Sequence, residues 1–323
     1  MVKVSITQKP PVLLDLQASI HLAVEIIEEA ASNGAKLIVF PEAHLPGYPT
    51  WIWRLRPGGD IALGNEIHAK LRANAVNLKA GDLKPIAEAA AKYQIVVVMG
   101  AHELESEFSG STLFNSLFVF DADGSLLNRH RKLMPTNPER MVWGMGDGSG
   151  LKVVETAIGR IGCLICWESY MPLARFALYS QNIDVYVAPT WDNGDTWVAS
   201  MNHIAREGGC WVLSTATAIT GSDIPDDFPG RSQLFKNEEW INTGGAVVVK
   251  PFGGIAAGPM HKEKAILYAD IDLEASKNAR KSLDVAGHYG RPDLFKLNVD
   301  RSTVSPVSFQ DDQSLKKSPW GRG

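Results

Sequence analysis

"RIGCLICWESYMPLARFAL", residues 160–178, carries the reading from which the fold follows. After Arg160 it runs through six small or apolar residues to Cys166. A short continuous apolar run of this kind reads as a strand covered on both faces. Trp167 and Glu168 follow, then a turn, then Pro172, which opens a helix to about residue 180. A doubly covered strand handing over to a helix is the unit of an α/β architecture.

The same alternation extends in both directions. "VKVSITQ" (2–8) reads as a strand. In "LQASIHLAVEIIEEAASNG" (16–34), Leu16, Ile20, Ala23, Ile27 and Ala30 fall on one helical face, with Asp15 as N-cap and Gly34 as stop. "KLIVF" (36–40) is a short apolar strand, and a helix over 83–93 precedes the strand "IVVVMGA" (95–101). "LFNSLFVF", the turn "DADG" and "SLLNRHRK" form a hairpin ending near Lys132. "IDVYVAP" is a strand and "TWVASMNHIAREGG" a helix; "CWVLSTAT", "GGAVVVK" and "AILYADID" are later strands. The class is α/β.

The composition, 45% hydrophobic and 21% charged, is that of a globular chain. No linker divides the 323 residues, so one domain over 1–300 with a polar tail over 301–323 is expected. The net charge of −4 and the short basic cluster "NRHRK" give no nucleic-acid footprint. No apolar run approaches a membrane span, and the N-terminus lacks the apolar region of a signal peptide. Three cysteines are too few for a disulfide framework, so a cytoplasmic location is expected. There is no glycine-rich phosphate loop, and neither cofactor nor metal is implied.

Cys163 and Cys166 spell CxxC. As a zinc site this is half a pattern, with no second CxxC and no histidine pair at matching spacing. As a redox pair it should open a helix, yet it ends a strand. Residues three apart on a strand point to opposite faces, so the two thiols should diverge. Cys210 starts another apolar strand and reads as a small buried hydrophobe. Cys166 differs because the C-terminal edge of an α/β sheet is where reactive groups gather. Glu42 and Lys132 stand at similar strand ends. Together the three supply a base, a cation and a nucleophile. Taken singly, each has a plainer reading: a buried thiol, a capping carboxylate, a member of a solvated basic patch.

The segments "LIVFPEAHLPGYP", "HRKLMPTNPERMVWGMGDG", "GRIGCLICWESYMPLAR", "NHIAREGGCWV" and "DVAGHYGRPDL" occur in this order. With them the chain resembles the nitrilase superfamily of carbon–nitrogen hydrolases, and "CWE" followed by "MPLAR" resembles its true nitrilase branch. The resemblance implies a four-layer αββα sandwich. It implies a catalytic triad of Glu42, Lys132 and Cys166, with Glu139 as the additional glutamate. Ser169 departs from the His or Asn that relatives often carry after "CWE". The implied reaction is hydrolysis of an organic nitrile to a carboxylic acid and ammonia through a covalent cysteine thioimidate and thioester. Glu42 takes the thiol proton; Lys132 and the backbone N–H of Trp167 stabilise developing charge. Amide or cyanide hydrolysis by the same groups is the alternative.

Tyr48, Trp51, Trp53 and Trp191 lie on loops near these strand ends. Tyr48, Trp167 and Trp191 are the expected substrate-binding residues of an apolar pocket, while others among these aromatics serve the core. Glu168 reads as a structural buried ion pair, and His203 as packing or interface. The helices over 172–180 and 196–208 carry apolar residues on more than one side: Leu173, Phe176, Ala177 and Leu178 in one, Trp197, Val198, Met201 and Ile204 in the other. As outer helices of a sandwich they should pair with a second copy, giving a homodimer or a larger spiral oligomer.

Overall fold

The computed structural model describes residues 1–305 and 307. In chain order, the first sheet contains β1 (Val2–Thr7), β2 (Leu37–Val39), β3 (Val96–Leu104), β4 (Leu113–Phe120) and β5 (Leu126–Arg131). The second holds β6 (Val153–Thr156), β7 (Gly159–Cys163), β8 (Val185–Pro189), β9 (Trp211–Thr215), β10 (Ala218–Thr220), β11 (Trp240–Val249) and β12 (Ile255–His261). The chain then returns through β13 (Ile266–Ile271), which pairs antiparallel with β1 and completes the first sheet. The first sheet runs β13-β1-β2-β3-β4-β5; the second runs β10-β11-β9-β8-β7-β6, with β12 on β11.

The layers follow from the period-2 alternation of side chains. In β3, Val96 and Val98 face the second sheet, while Val97 and Met99 face helices α1 (Leu16–Ser32) and α3 (Lys84–Tyr93), between which α2 (Ile61–Ala73) lies in the chain. In β8, Val185 and Val187 face the first sheet, while Tyr186 and Ala188 face α4 (Pro172–Tyr179) and α5 (Asp195–Gly208). Both strands are therefore apolar throughout, and the order of layers is helix, sheet, sheet, helix. Helix α1 begins where expected: Asp15 accepts from the Ala18 amide, and its buried stripe contains Leu16, Ile20, Ala23, Ile27 and Ala30.

Strands β2 and β3 run parallel, and two antiparallel steps through β4 make β5 parallel to them. Strands β7, β8 and β9 are parallel in the other sheet. Each sheet thus presents several C-terminal strand ends along one edge. A further apolar cluster of loop residues gathers there, including Tyr48, Trp51, Trp143, Phe228 and Phe235.

Three sequence expectations need correction. The strand in "RIGCLIC" stops at Cys163, and Cys166 instead opens a 3-10 turn, Cys166–Tyr170. The opposite-faces argument for the two thiols therefore fails: both belong to the core between the sheets. Trp197, Met201 and Ile204 of α5 are not surface residues; they pack under α5 against the second sheet. Among the described residues, no helix is long and apolar enough to cross a membrane. Most of the expected tail over 301–323 lies outside the described residues.

Candidate active site

Glu42 sits two residues beyond Phe40, in the loop that leaves β2. Lys132 directly follows β5, and its backbone N–H donates to the Asn115 carbonyl at 2.7 Å, which fixes its start. Glu139 lies in the 3-10 turn Asn137–Met141, whose entry is tied by the Thr136 N–H donating to Glu139 Oε2 at 2.7 Å. Cys166 lies beyond β7 with φ at +53°. That left-handed backbone is rare for a residue with a side chain. It turns the strand sharply and presents the thiol at the sheet edge.

These elements bring the four side chains together. Lys132 Nζ donates to Glu42 Oε1 and to Glu139 Oε2, each at 2.7 Å. Asn115 Nδ2 donates to the same Glu42 oxygen at 2.7 Å. Glu139 Oε1 accepts from the Tyr48 hydroxyl at 2.6 Å, and that hydroxyl accepts from Trp53 Nε1 at 3.2 Å. Glu42 Oε2 has no hydrogen-bond partner among the described residues and is the free acceptor of the carboxylate. The Cys166 thiol accepts from the Thr190 hydroxyl at 3.1 Å.

Burial sets the electrostatics. It pushes the Glu42 carboxyl up, against the opposing pull of Lys132, to about 7. Burial also works against the Lys132 ammonium, but the charges of Glu42 and Glu139 outweigh it and hold its pKa above the usual lysine range. The Cys166 thiol is pushed up to about 12, first by burial and then by Glu42, with Lys132 pulling the other way. The resting group is thus a thiol. Its proton has to leave as the sulfur bonds to a substrate, toward a carboxylate poised near neutrality.

The remaining expected residues divide. Tyr48 stacks face to face on Trp191, with ring centroids 4.2 Å apart. Trp167 is half-exposed and donates from Nε1 to Asp192 at 2.9 Å. Trp51 is buried against Phe228 and serves the core. Glu168 is structural: it accepts from the Leu133 and Ile165 amides at 2.6 Å and pairs with His130 at 3.0 Å. Cys210 is fully buried in the layer beneath α4 and α5. His203 is exposed on α5, 3.9 Å from Glu207.

A model of the carbon-nitrogen hydrolase family matches residues 3–281. The chain belongs to the carbon-nitrogen hydrolase family. A bifunctional nitrilase/nitrile hydratase of Nicotiana tabacum is 39% identical over 322 residues, 98% of this chain and 91% of that one. An aliphatic nitrilase of Sinorhizobium fredii (strain HH103) is 40% identical over 306 residues, 94% of this chain and 97% of that one. The family's true nitrilase branch is where these similarities fall. The fold agrees with the crystal structure of a carbon-nitrogen hydrolase from Helicobacter pylori G27, at a TM-score of 0.70 and 20% identity, covering 91% of this chain and 96% of that one.

Asn115, Thr190 and Trp143 also adjoin the candidate residues Glu42, Cys166 and Lys132, and sequence reasoning missed all three. A signal existed for two of them. Asn115 interrupts the apolar run "LFNSLFVF", and Thr190 follows β8 just as Lys132 follows β5. Trp143 is held by its Nε1 donating to His102 Nδ1 at 2.9 Å, and its ring meets Tyr48 edge-on.

Proposed function

We propose that this nitrilase uses Cys166 as nucleophile, Glu42 as general base, Lys132 as electrostatic stabiliser and Glu139 as the anchor of Lys132. The carrying observation is the buried chain Glu42–Lys132–Glu139, with both links at 2.7 Å. As the Cys166 sulfur attacks the nitrile carbon, its proton passes to Glu42 Oε2. The electron pair pushed onto nitrogen takes that proton back from Glu42, giving a neutral thioimidate and a Glu42 carboxylate again free to accept. Water activated by Glu42 adds to the carbon, ammonia leaves and a thioester remains. A second water releases the carboxylic acid and restores the thiol. Lys132 Nζ and the Trp167 backbone N–H are the donors we assign to the charge that develops in each tetrahedral species.

The substrate pocket we assign to Tyr48, Trp167 and Trp191. Stacked and half-exposed aromatic faces suit an organic nitrile larger than cyanide. The relatives' names also associate nitrile hydratase activity with this branch, so product partition is part of the test. We read the catalytic domain as residues 1–300 and the enzyme as cytoplasmic. Self-association through the α4 face is supported by the exposure of Leu173, Phe176, Tyr289, Leu294 and Phe295.

The test measures ammonia, acid and amide from aliphatic, aryl and arylaliphatic nitriles. Cys166→Ala should abolish turnover with the fold intact. Cys163→Ala and Cys210→Ala should stay active, with at most a small stability loss from the cavity left behind. An active Cys166→Ala enzyme would overturn the assignment.

A further inference from the structure

We propose that Thr190 is a further catalytic residue, whose hydroxyl donates to the Cys166 sulfur and stabilises the thiolate whenever it forms. The inference rests on Cys166 being the nucleophile.

Thr190 directly follows β8 and is fully buried. Its backbone N–H donates to the Thr215 carbonyl at 2.9 Å, which ties the residue to β9 and leaves its side chain little freedom. Its hydroxyl lies 3.1 Å from Cys166 Sγ and also accepts from the Asp192 amide at 2.9 Å. A hydroxyl has one proton. The Asp192 N–H occupies an acceptor position on the oxygen, and the sulfur lies within reach as an acceptor for that proton. Asp192 is itself fixed, because its carboxylate accepts from Trp167 Nε1 at 2.9 Å and from the Gly194 amide at 3.0 Å. The donor is therefore built into the turn and is not a surface rotor.

The need for it follows from the charges around the sulfur. Glu42 and Glu139 oppose a thiolate and Lys132 favours it, but Lys132 is already divided between the two carboxylates. Thr190 is the neutral group that donates to the sulfur itself. The benefit falls on two steps. On attack, the S–H proton goes to Glu42 while the S–C bond forms. In acid release, water gives its hydroxide to the thioester carbon and its proton to Glu42. The C–S bond then breaks with its electron pair going to Sγ, and Glu42 returns the proton to the sulfur. Thr190 keeps its own proton throughout. A thiol held at lower pKa leaves faster, so the second step gains most.

The test compares wild type, Thr190→Val and Thr190→Ser, all checked for native thermal unfolding. Iodoacetamide labelling is mapped by mass spectrometry at pH 7 to 9. Losing a hydrogen bond to a charged sulfur cuts the thiolate population by about tenfold, partly offset by the greater nucleophilicity of a more basic thiolate. Cys166 labelling in Thr190→Val should therefore slow by about threefold. In turnover, kcat should fall more than this, KM should drop with it, and intact mass should show acyl-enzyme accumulating on Cys166. Thr190→Ser keeps the donor and should label faster than Thr190→Val. Equal labelling rates at Cys166 in wild type and folded Thr190→Val, with no acyl-enzyme build-up, would overturn the proposal. Activity that survives in Cys166→Ala would instead overturn the nucleophile assignment beneath it.

Discussion

Lys132 and Glu42 form an ion pair with Nζ 2.7 Å from Oε1 and neither side chain exposed to solvent. Glu139 takes a second proton of the same ammonium at the same distance. One cation thus serves two buried carboxylates. Deleting the cation and deleting one carboxylate are unequal changes, because only the first leaves two carboxylates facing each other across an uncharged gap. Breaking a buried pair costs about 3–5 kcal/mol when a charge is left uncompensated. Lys132→Gln should therefore lose more stability than Glu42→Gln or Glu139→Gln. All three should lose several orders of magnitude in turnover. Urea midpoints measured beside rates check the order, and equal midpoints would mean that Lys132 does not hold the two carboxylates together.

The raised carboxyl of Glu42 ties pH to both activity and stability, with opposite signs. Its pKa stands at about 7 against an ordinary 4.5, chiefly through burial. Between these values the native chain holds a proton that the unfolded chain releases. Stability from this group is fully present below about 4.5 and is lost as pH rises through about 7. The base is needed ionised, so kcat/KM should rise through the same region. A profile for wild type with an acid limb near 7, beside a flatter dependence of unfolding temperature on pH in Glu42→Gln, is the expected pair of results. An acid limb near 4.5 would assign the base to another group.

His102 holds part of the site without touching the reacting groups. Its Nδ1 accepts from the Trp143 indole at 2.9 Å, so its Nε2 carries the proton and donates to the Gly47 carbonyl at 2.9 Å. Burial keeps the ring neutral, with its pKa pushed down to about 3. His102→Phe fills the space but leaves an indole N–H and a carbonyl unpaired, at about 1–3 kcal/mol each. Unfolding should shift by that amount. Because Trp143 packs edge-on against Tyr48, KM should rise as the pocket loosens. Denaturation and steady-state kinetics on one preparation separate the two effects, and an unchanged KM would limit His102 to folding.

Much of this was legible in sequence because burial on both faces leaves a continuous apolar run, as in "IVVVMGA", and such runs gave strands in the right order. The meeting of Glu42 and Lys132 was legible for a related reason: they are charges placed at the ends of those runs, and the structure brings them to 2.7 Å. The turn at Cys166 was not. Nothing in "GCLIC" marks where pairing stops, and the left-handed conformation at Cys166 is imposed by the tertiary fold on a residue that does not favour it. Strand β12 was also missed. It is an edge strand, largely exposed, so its sequence lacks the apolar pattern that betrayed the others. Helical surface was misjudged for the same kind of reason: a wide apolar stripe does not say how deep the groove is that receives it, and the second sheet receives Trp197, Met201 and Ile204 of α5 together.

That difference makes the assembly prediction sharper than apolar content alone allowed. Met201 is wholly buried beneath α5, so Met201→Asp should damage folding and says nothing about pairing. Leu173 is 67% exposed on α4, and Phe176 is exposed on the same helix. A charge there meets water in the monomer and a partner's apolar face in a dimer. Leu173→Asp and Phe176→Asp should therefore keep the unfolding temperature of the monomer fold while lowering the mass seen by light scattering. Activity should fall with mass, because α4 is joined to the Cys166 turn through the 3-10 segment that ends at Tyr170. A wild-type chain that scatters as a fully active monomer would end the self-association reading. Loss of mass with activity retained would keep the dimer and cut its link to the nucleophile.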